Sequence, residues 1–100
     1  MAGGCYCGAL RYEVTEKPVL KAQCHCRECQ YLSGGGPNYF MLVGPKAFAY
    51  TQGAPKTFAR EDLAEPVTRE FSGDCGTCIL TRRREQADLG LKVGTSEGPT

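Results

Sequence analysis

Apolar and polar residues alternate without interruption through Leu10-Arg11-Tyr12-Glu13-Val14, a period of two that predicts a half-buried strand with Leu10, Tyr12 and Val14 facing inward. Glu16-Lys17-Pro18 ends it, because proline lacks an N–H and restricts the residue before it. Residues 19–23 read as a second strand that delivers the chain to Cys24. Residues 38–43, closed by Gly44-Pro45, have the aromatic and large apolar composition of a buried central strand. Residues 48–50 and 56–58 flank the turn Gln52-Gly53-Ala54-Pro55 and predict a short strand pair. Residues 67–71 alternate again, with Val67, Arg69 and Phe71 on one side, and residues 79–82 and 89–93 are further strands. Between them, residues 30–33 suit a single helical turn, Gly34-Gly35-Gly36-Pro37 a turn, residues 60–66 a loop, and the chain from Gly94 onward a polar, frayed tail. No segment has the period of a long amphipathic helix, and many short strands with Gly/Pro punctuation predict an all-β domain.

One hundred residues make a single domain, 1–100. With 41% hydrophobic and 23% charged residues the chain is neither disordered nor membrane-spanning, and no apolar run approaches the roughly 20 residues of a transmembrane helix. Met1-Ala2-Gly3-Gly4 leads into a cysteine rather than a signal-peptide core, so a cytoplasmic location is expected. A net charge of +1 gives no sign of a nucleic-acid or acidic-membrane partner.

Seven cysteines alter that plain picture. The cytosol keeps thiols reduced, so metal ligation accounts for them better than disulfides. Seven also divides into one four-ligand and one three-ligand zinc site. On a strand, residues two apart share a side, so Cys5 with Cys7, and Cys24 with Cys26, can each present two thiols to one point, and Cys29 returns through a turn to the second pair. The dense run Cys24-His25-Cys26-Arg27-Glu28-Cys29 offers three soft ligands and leaves a fourth position open. His25, between two cysteines that share a face, is expected to point away as a packing residue.

These residues resemble the glutathione-dependent formaldehyde-activating enzyme family, which includes the centromere protein V type domains. The resemblance is carried by Gly4-Cys5-Tyr6-Cys7-Gly8 with the strand that follows, by the Cys24 to Cys29 run with Ser33-Gly34, by Phe71 with Cys75-Gly76-Thr77, and by Val93-Gly94-Thr95, and it covers nearly the whole chain. It implies a Mss4-like zinc-bound fold of several short antiparallel sheets. It also implies two zinc ions, one structural on Cys5, Cys7, Cys75 and a fourth ligand, the other catalytic on Cys24, Cys26 and Cys29. The family pattern puts the fourth structural cysteine where this chain has Ser72; Cys78, three residues after Cys75, completes the site in a shifted register, or else the site has three cysteines and Cys78 is a buried thiol. Two other departures are Gln30, where the family commonly has a basic residue, and a C-terminus shorter than usual.

The activity implied is that of a carbon-sulfur lyase, addition of glutathione to formaldehyde to give S-hydroxymethylglutathione, with the thiol, glutathione or another small one, taking the open zinc position and a small aldehyde as second substrate. Three thiolates leave the zinc complex with a charge of about −1, a poor electrophile but a good holder of thiolate. The alternatives are a non-catalytic zinc-stabilised binding module and, less favoured, a redox pair at Cys75 and Cys78. Arg82-Arg83-Arg84 could pair with glutathione carboxylates, but on a strand they alternate faces and a solvated sheet edge is the expected role; Arg11 and Arg69 are expected on strand surfaces, and Tyr31 and Tyr39 either in a pocket or in the core.

Overall fold

The computed structural model describes residues 1–84 and 86–97. Nine strands form two antiparallel sheets: β1 (Ala2–Gly4), β2 (Arg11–Val14), β3 (Leu20–Cys24), β4 (Asn38–Val43), β5 (Phe48–Gln52), β6 (Lys56–Phe58), β7 (Thr68–Phe71), β8 (Cys78–Arg83) and β9 (Gln86–Lys92). A three-stranded sheet has the order β1-β2-β5 and a six-stranded sheet the order β3-β4-β9-β8-β7-β6. The mainly β expectation holds, and among the described residues no helix is long and apolar enough to cross a membrane.

β2 forms where the period of two predicts it, whereas β1 (Ala2–Gly4) was not expected from the sequence. Leu10, Tyr12 and Val14 are all buried, and they meet Met41, Val43, Ile79, Leu80, Leu89 and Leu91 of the large sheet in one core. Tyr12 packs on Phe48 at 5.2 Å between ring centroids, and Phe48 on Tyr50 edge-to-face at 5.0 Å.

Four expectations need correction. Residues 48–50 and 56–58 are not partners: β5 pairs with β2 in the small sheet, and β6 pairs with β7 in the large one. The turn between them carries the chain from sheet to sheet, with Gly53 at φ 75°, where a Cβ would run into the Ala9 carbonyl. The arginines of 82–84 do not sit on an edge, because β8 lies between β9 and β7. Of the two places open to Tyr31 and Tyr39, the core is ruled out: both are exposed, and Tyr31 lines a groove with Phe58 and Leu63. Finally, the chain beyond Gly94 is tied down as far as Glu97: Tyr12 Oη bonds Thr95 Oγ1 at 2.8 Å, Ser96 bridges to Gly3, and Glu97 pairs with Arg11. Residues 98–100 lie outside the described residues.

The helix is longer and earlier than expected. α1 (Arg27–Ser33) starts on Cys26, whose side chain accepts the Cys29 N–H, and ends at Gly34 in the left-handed region with φ 83°. It buries Cys29.

Candidate metal centres and the chamber beside them

Two groups of three cysteine sulfurs come together, Cys5 with Cys7 and Cys75, and Cys24 with Cys26 and Cys29, each with its sulfurs within 4.8 Å of one another. Tetrahedral zinc thiolates at about 2.3 Å imply sulfurs about 3.8 Å apart, so both groups could hold a metal ion with little adjustment. Hydrogen-bond donors aimed at the sulfurs fit that reading, since a ligand sulfur is an anion. Leu10 N donates to Cys5 Sγ at 3.2 Å, Cys29 N to Cys26 Sγ at 3.4 Å, and Asn38 Nδ2 to Cys29 Sγ at 3.6 Å.

In the first group Cys5 and Cys7 flank the entry to β2, and Cys75 sits in a tight turn closed by Ser72 N to Thr77 O at 2.9 Å and Gly76 N to Ser72 O at 2.9 Å. That turn folds Ser72, not Cys78, back beside Cys75. Ser72 is 1% exposed, its Oγ accepts the N–H groups of Asp74 and Cys75 at 3.2 Å, and its hydroxyl reaches the thiols of Cys5 and Cys75. Contacts from Ser72 and then Thr77 hold the Cys75 thiol down at about 5. Burial pushes Cys5 the other way, but the Leu10 N–H and the Ser72 hydroxyl outweigh it, and its pKa falls.

Cys78 joins neither group. As the first residue of β8 it pairs with Phe71, past the turn, and burial raises its thiol. Ser72 therefore stands where the expected fourth ligand was sought in Cys78. Spacing alone could not choose between them, because Ser72 and Cys78 are each three residues from Cys75.

In the second group Cys24 ends β3, Cys26 caps α1 and Cys29 lies one turn inside it. The three are half-buried, exposed and buried in that order. The Cys29 N–H lowers the Cys26 thiol, whereas burial first and the neighbouring Cys26 and Cys24 sulfurs second push Cys29 up to about 11. The opposite shifts follow from different surroundings, a backbone N–H at Cys26 and burial at Cys29, with the neighbouring sulfurs adding to the second. His25 is exposed, and only its carbonyl is engaged, accepting from Gln30 Nε2 at 3.0 Å.

Beside this triad opens a chamber of about 160 Å³. Its wall is one face of the large sheet, read off every second residue: Leu20 and Cys24 on β3, Asn38, Phe40 and Leu42 on β4, Gly90 and Lys92 on β9, Thr81 and Arg83 on β8, with Arg69 from β7. Cys24 lies directly opposite Asn38 in the strand register, Phe40 opposite Lys92, and Arg69 opposite Thr81. Lys92, 8% exposed, donates from Nζ to Asn38 Oδ1 at 2.8 Å, and burial brings its pKa down to about 8. Arg69 is no surface residue: its side chain is 14% exposed and donates to Thr81 Oγ1 at 2.8 Å and Glu28 Oε1 at 3.0 Å. Lys92, Asn38 and Arg69 were missed as site residues because each sits within a strand whose pattern identifies a face but not what lies over it.

A family model described as "Glutathione-dependent formaldehyde-activating enzyme" matches residues 1–100. The chain belongs to that family. A Halomonas elongata protein, provisionally named as a glutathione-dependent formaldehyde-activating enzyme, is 29% identical over 84 residues, a match covering 79% of this chain and 54% of the relative. The chain thus spans about half the length of the curated relative it matches. A crystal structure of a Rhodobacter sphaeroides protein superposes with a TM-score of 0.80 at 20% identity, over 100% of this chain and 91% of that one, which supports the fold.

Proposed function

We propose that this chain binds two zinc ions and joins the sulfur of glutathione to the carbon of formaldehyde, giving S-hydroxymethylglutathione. The observation that carries the proposal is the Cys24–Cys26–Cys29 triad, three sulfurs with no fourth histidine, cysteine or carboxylate grouped with them among the described residues, placed beside a chamber. Zinc held by three thiolates would keep an incoming thiol as thiolate, ready to attack. The Cys5–Cys7–Cys75 group, with Ser72 at its side and closing the N-terminal end of β2 onto the 72–77 turn, is read as structural.

The reaction balances without any oxidant or reductant. A carbon–sulfur bond forms, the carbonyl pair moves to oxygen, and the proton lost by the thiol is matched by one gained at that oxygen. The chain's own residues have three tasks. Asn38 Nδ2–H and the Cys29 N–H spread charge off two of the sulfurs. Phe40, Leu20 and Leu42 limit water on one side of the chamber. Lys92 and Arg69 offset a negative cluster that would otherwise repel a second thiolate.

A second reading, a non-catalytic zinc-stabilised module, draws on a separate groove where Tyr31, Phe58 and Leu63 are exposed together. One experiment separates the two. With the zinc-loaded chain added to glutathione and carbon-13 formaldehyde at equilibrium, NMR exchange spectroscopy should show interconversion of formaldehyde hydrate and adduct at least tenfold faster than the spontaneous rate, and Cys24→Ser should abolish the gain. An unchanged exchange rate would overturn the catalytic reading in favour of the module.

A further inference from the structure

We propose that the chamber beside Cys24 and Cys29 is a carboxylate subsite in which Lys92, with Arg69 and Arg83, selects thiols that carry a carboxylate over neutral ones. The proposal rests on the reading that a thiol binds at this triad, and it adds which part of the thiol the chain reads and with which residues.

Charge is the first ground. Three cations line the chamber, and among the described residues no aspartate or glutamate does. Arg69 is already engaged by Thr81 and by Glu28. Lys92 is not matched in this way: its ammonium carries three N–H donors, and its hydrogen bond goes to a neutral amide oxygen. An ammonium buried beside a neutral partner is costly, and an arriving anion offsets that cost where a neutral ligand cannot.

Position is the second. Lys92 Nζ and Cys29 Sγ lie on the two ends of one side-chain amide, that of Asn38, so the cation is a short ligand's length from the sulfur cluster. A thiol whose carboxylate is a few bonds from its sulfur can therefore reach both. Apolar neighbours sharpen the discrimination, because the half-buried Phe40 and Leu42 line the chamber and lower the polarity around the cations.

The same cations also balance the charge of the thiolate cluster, and the test must separate the two roles. Two isosteric probes do so: 3-mercaptopropionate and 3-mercaptopropionamide present the same sulfur, and only the first has a carboxylate. Any influence of Lys92 exerted through the cluster acts on both, whereas a carboxylate contact changes their ratio. Calorimetry on the zinc-loaded chain at pH 7 should give the carboxylate about tenfold or greater preference. Lys92→Met should bring the ratio close to one. Arg83→Gln, an exposed position that leaves the core untouched, should reduce it about two- to threefold and serves where Lys92→Met fails to fold. A ratio unmoved by either substitution, with both thiols binding, overturns the carboxylate subsite and leaves thiol binding standing. If neither thiol binds the zinc-loaded chain, the thiol reading itself falls, and the subsite with it.

Discussion

Lys92 Nζ donates to Asn38 Oδ1 at 2.8 Å and so decides which end of the Asn38 side chain faces Cys29: the ammonium accepts nothing, so the amide oxygen must turn to it and the NH2 to the sulfur. The pair is a donor aimed at a sulfur of the second cysteine group, and both members are 8% exposed.

Removing that donor should loosen the second metal site without dismantling it. Asn38→Leu is expected to weaken zinc at Cys24, Cys26 and Cys29 by about 10- to 100-fold, the usual effect of losing a partner behind a ligand. Chelator competition followed at both sites measures it. An affinity within twofold of the parent would show that the 3.6 Å contact to Cys29 Sγ carries no weight.

The first site yields a contrast between two residues equally spaced from Cys75. Ser72→Cys should raise zinc retention there by at least tenfold, because a thiolate replaces a hydroxyl already touching Cys5 and Cys75. Cys78→Ala should leave metal content unchanged, at a stability cost of about 1 kcal/mol or less for the loss of one half-buried sulfur. Zinc per chain after dialysis against a chelator is the readout, and loss of one zinc in Cys78→Ala would return Cys78 to the ligand set.

Alkaline pH should act through Tyr50. Burial first, and then its 2.9 Å hydrogen bond to Glu70, raises the phenol above its usual value, so the folded chain keeps a proton that the unfolded chain gives up. With more protons bound in the native state, this group's contribution to stability is whole below about pH 10 and is lost as pH climbs above it. Titration of tyrosinate absorbance should show a late component that Tyr50→Phe removes. If the substitution leaves the high-pH end of the curve as it was, Tyr50 is not the held phenol.

Two glycines with the same backbone geometry should respond differently. Gly8 and Gly53 have φ 84° and 75°, but a Cβ at Gly8 meets open space while one at Gly53 meets the Ala9 carbonyl and Leu10. Gly8→Ala should cost about 1 kcal/mol, the backbone penalty alone, and Gly53→Ala about 2 kcal/mol or more. Urea unfolding at matched metal loading compares them, and equal losses would remove the close approach from the account.

What could be read from the sequence follows what is local. Leu10, Tyr12 and Val14 announce a buried face because alternation is a property of adjacent residues, and the cysteine run announces a cluster of sulfurs because its members are five residues apart at most. Partner choice is not local. Nothing in residues 48–58 says that β5 and β6 belong to different sheets, since the turn between them resembles any hairpin turn. Nor could Arg69 and Lys92 be told from ordinary polar strand positions before the register set them across from Thr81 and Phe40, on the face that α1 covers with Cys29. Ser72 was in view from the resemblance, but spacing could not set it above Cys78, because only the 72–77 turn shows which of the two lies beside Cys75.

The start of α1 on a sulfur of the Cys24–Cys26–Cys29 group has an effect on assembly. Seven residues are too few to form a helix in water unaided, since nucleation costs more than so few bonds return. Cys26 and Cys29 are at once the cap hydrogen bond and two-thirds of the ligand triad. Ordering the helix thus pre-forms the binding site, and loading the ion holds the first turn closed. An ion bound by the triad, as proposed above, would link its occupancy to the helix content, and its supply would then bias how much of this wall of the chamber is formed.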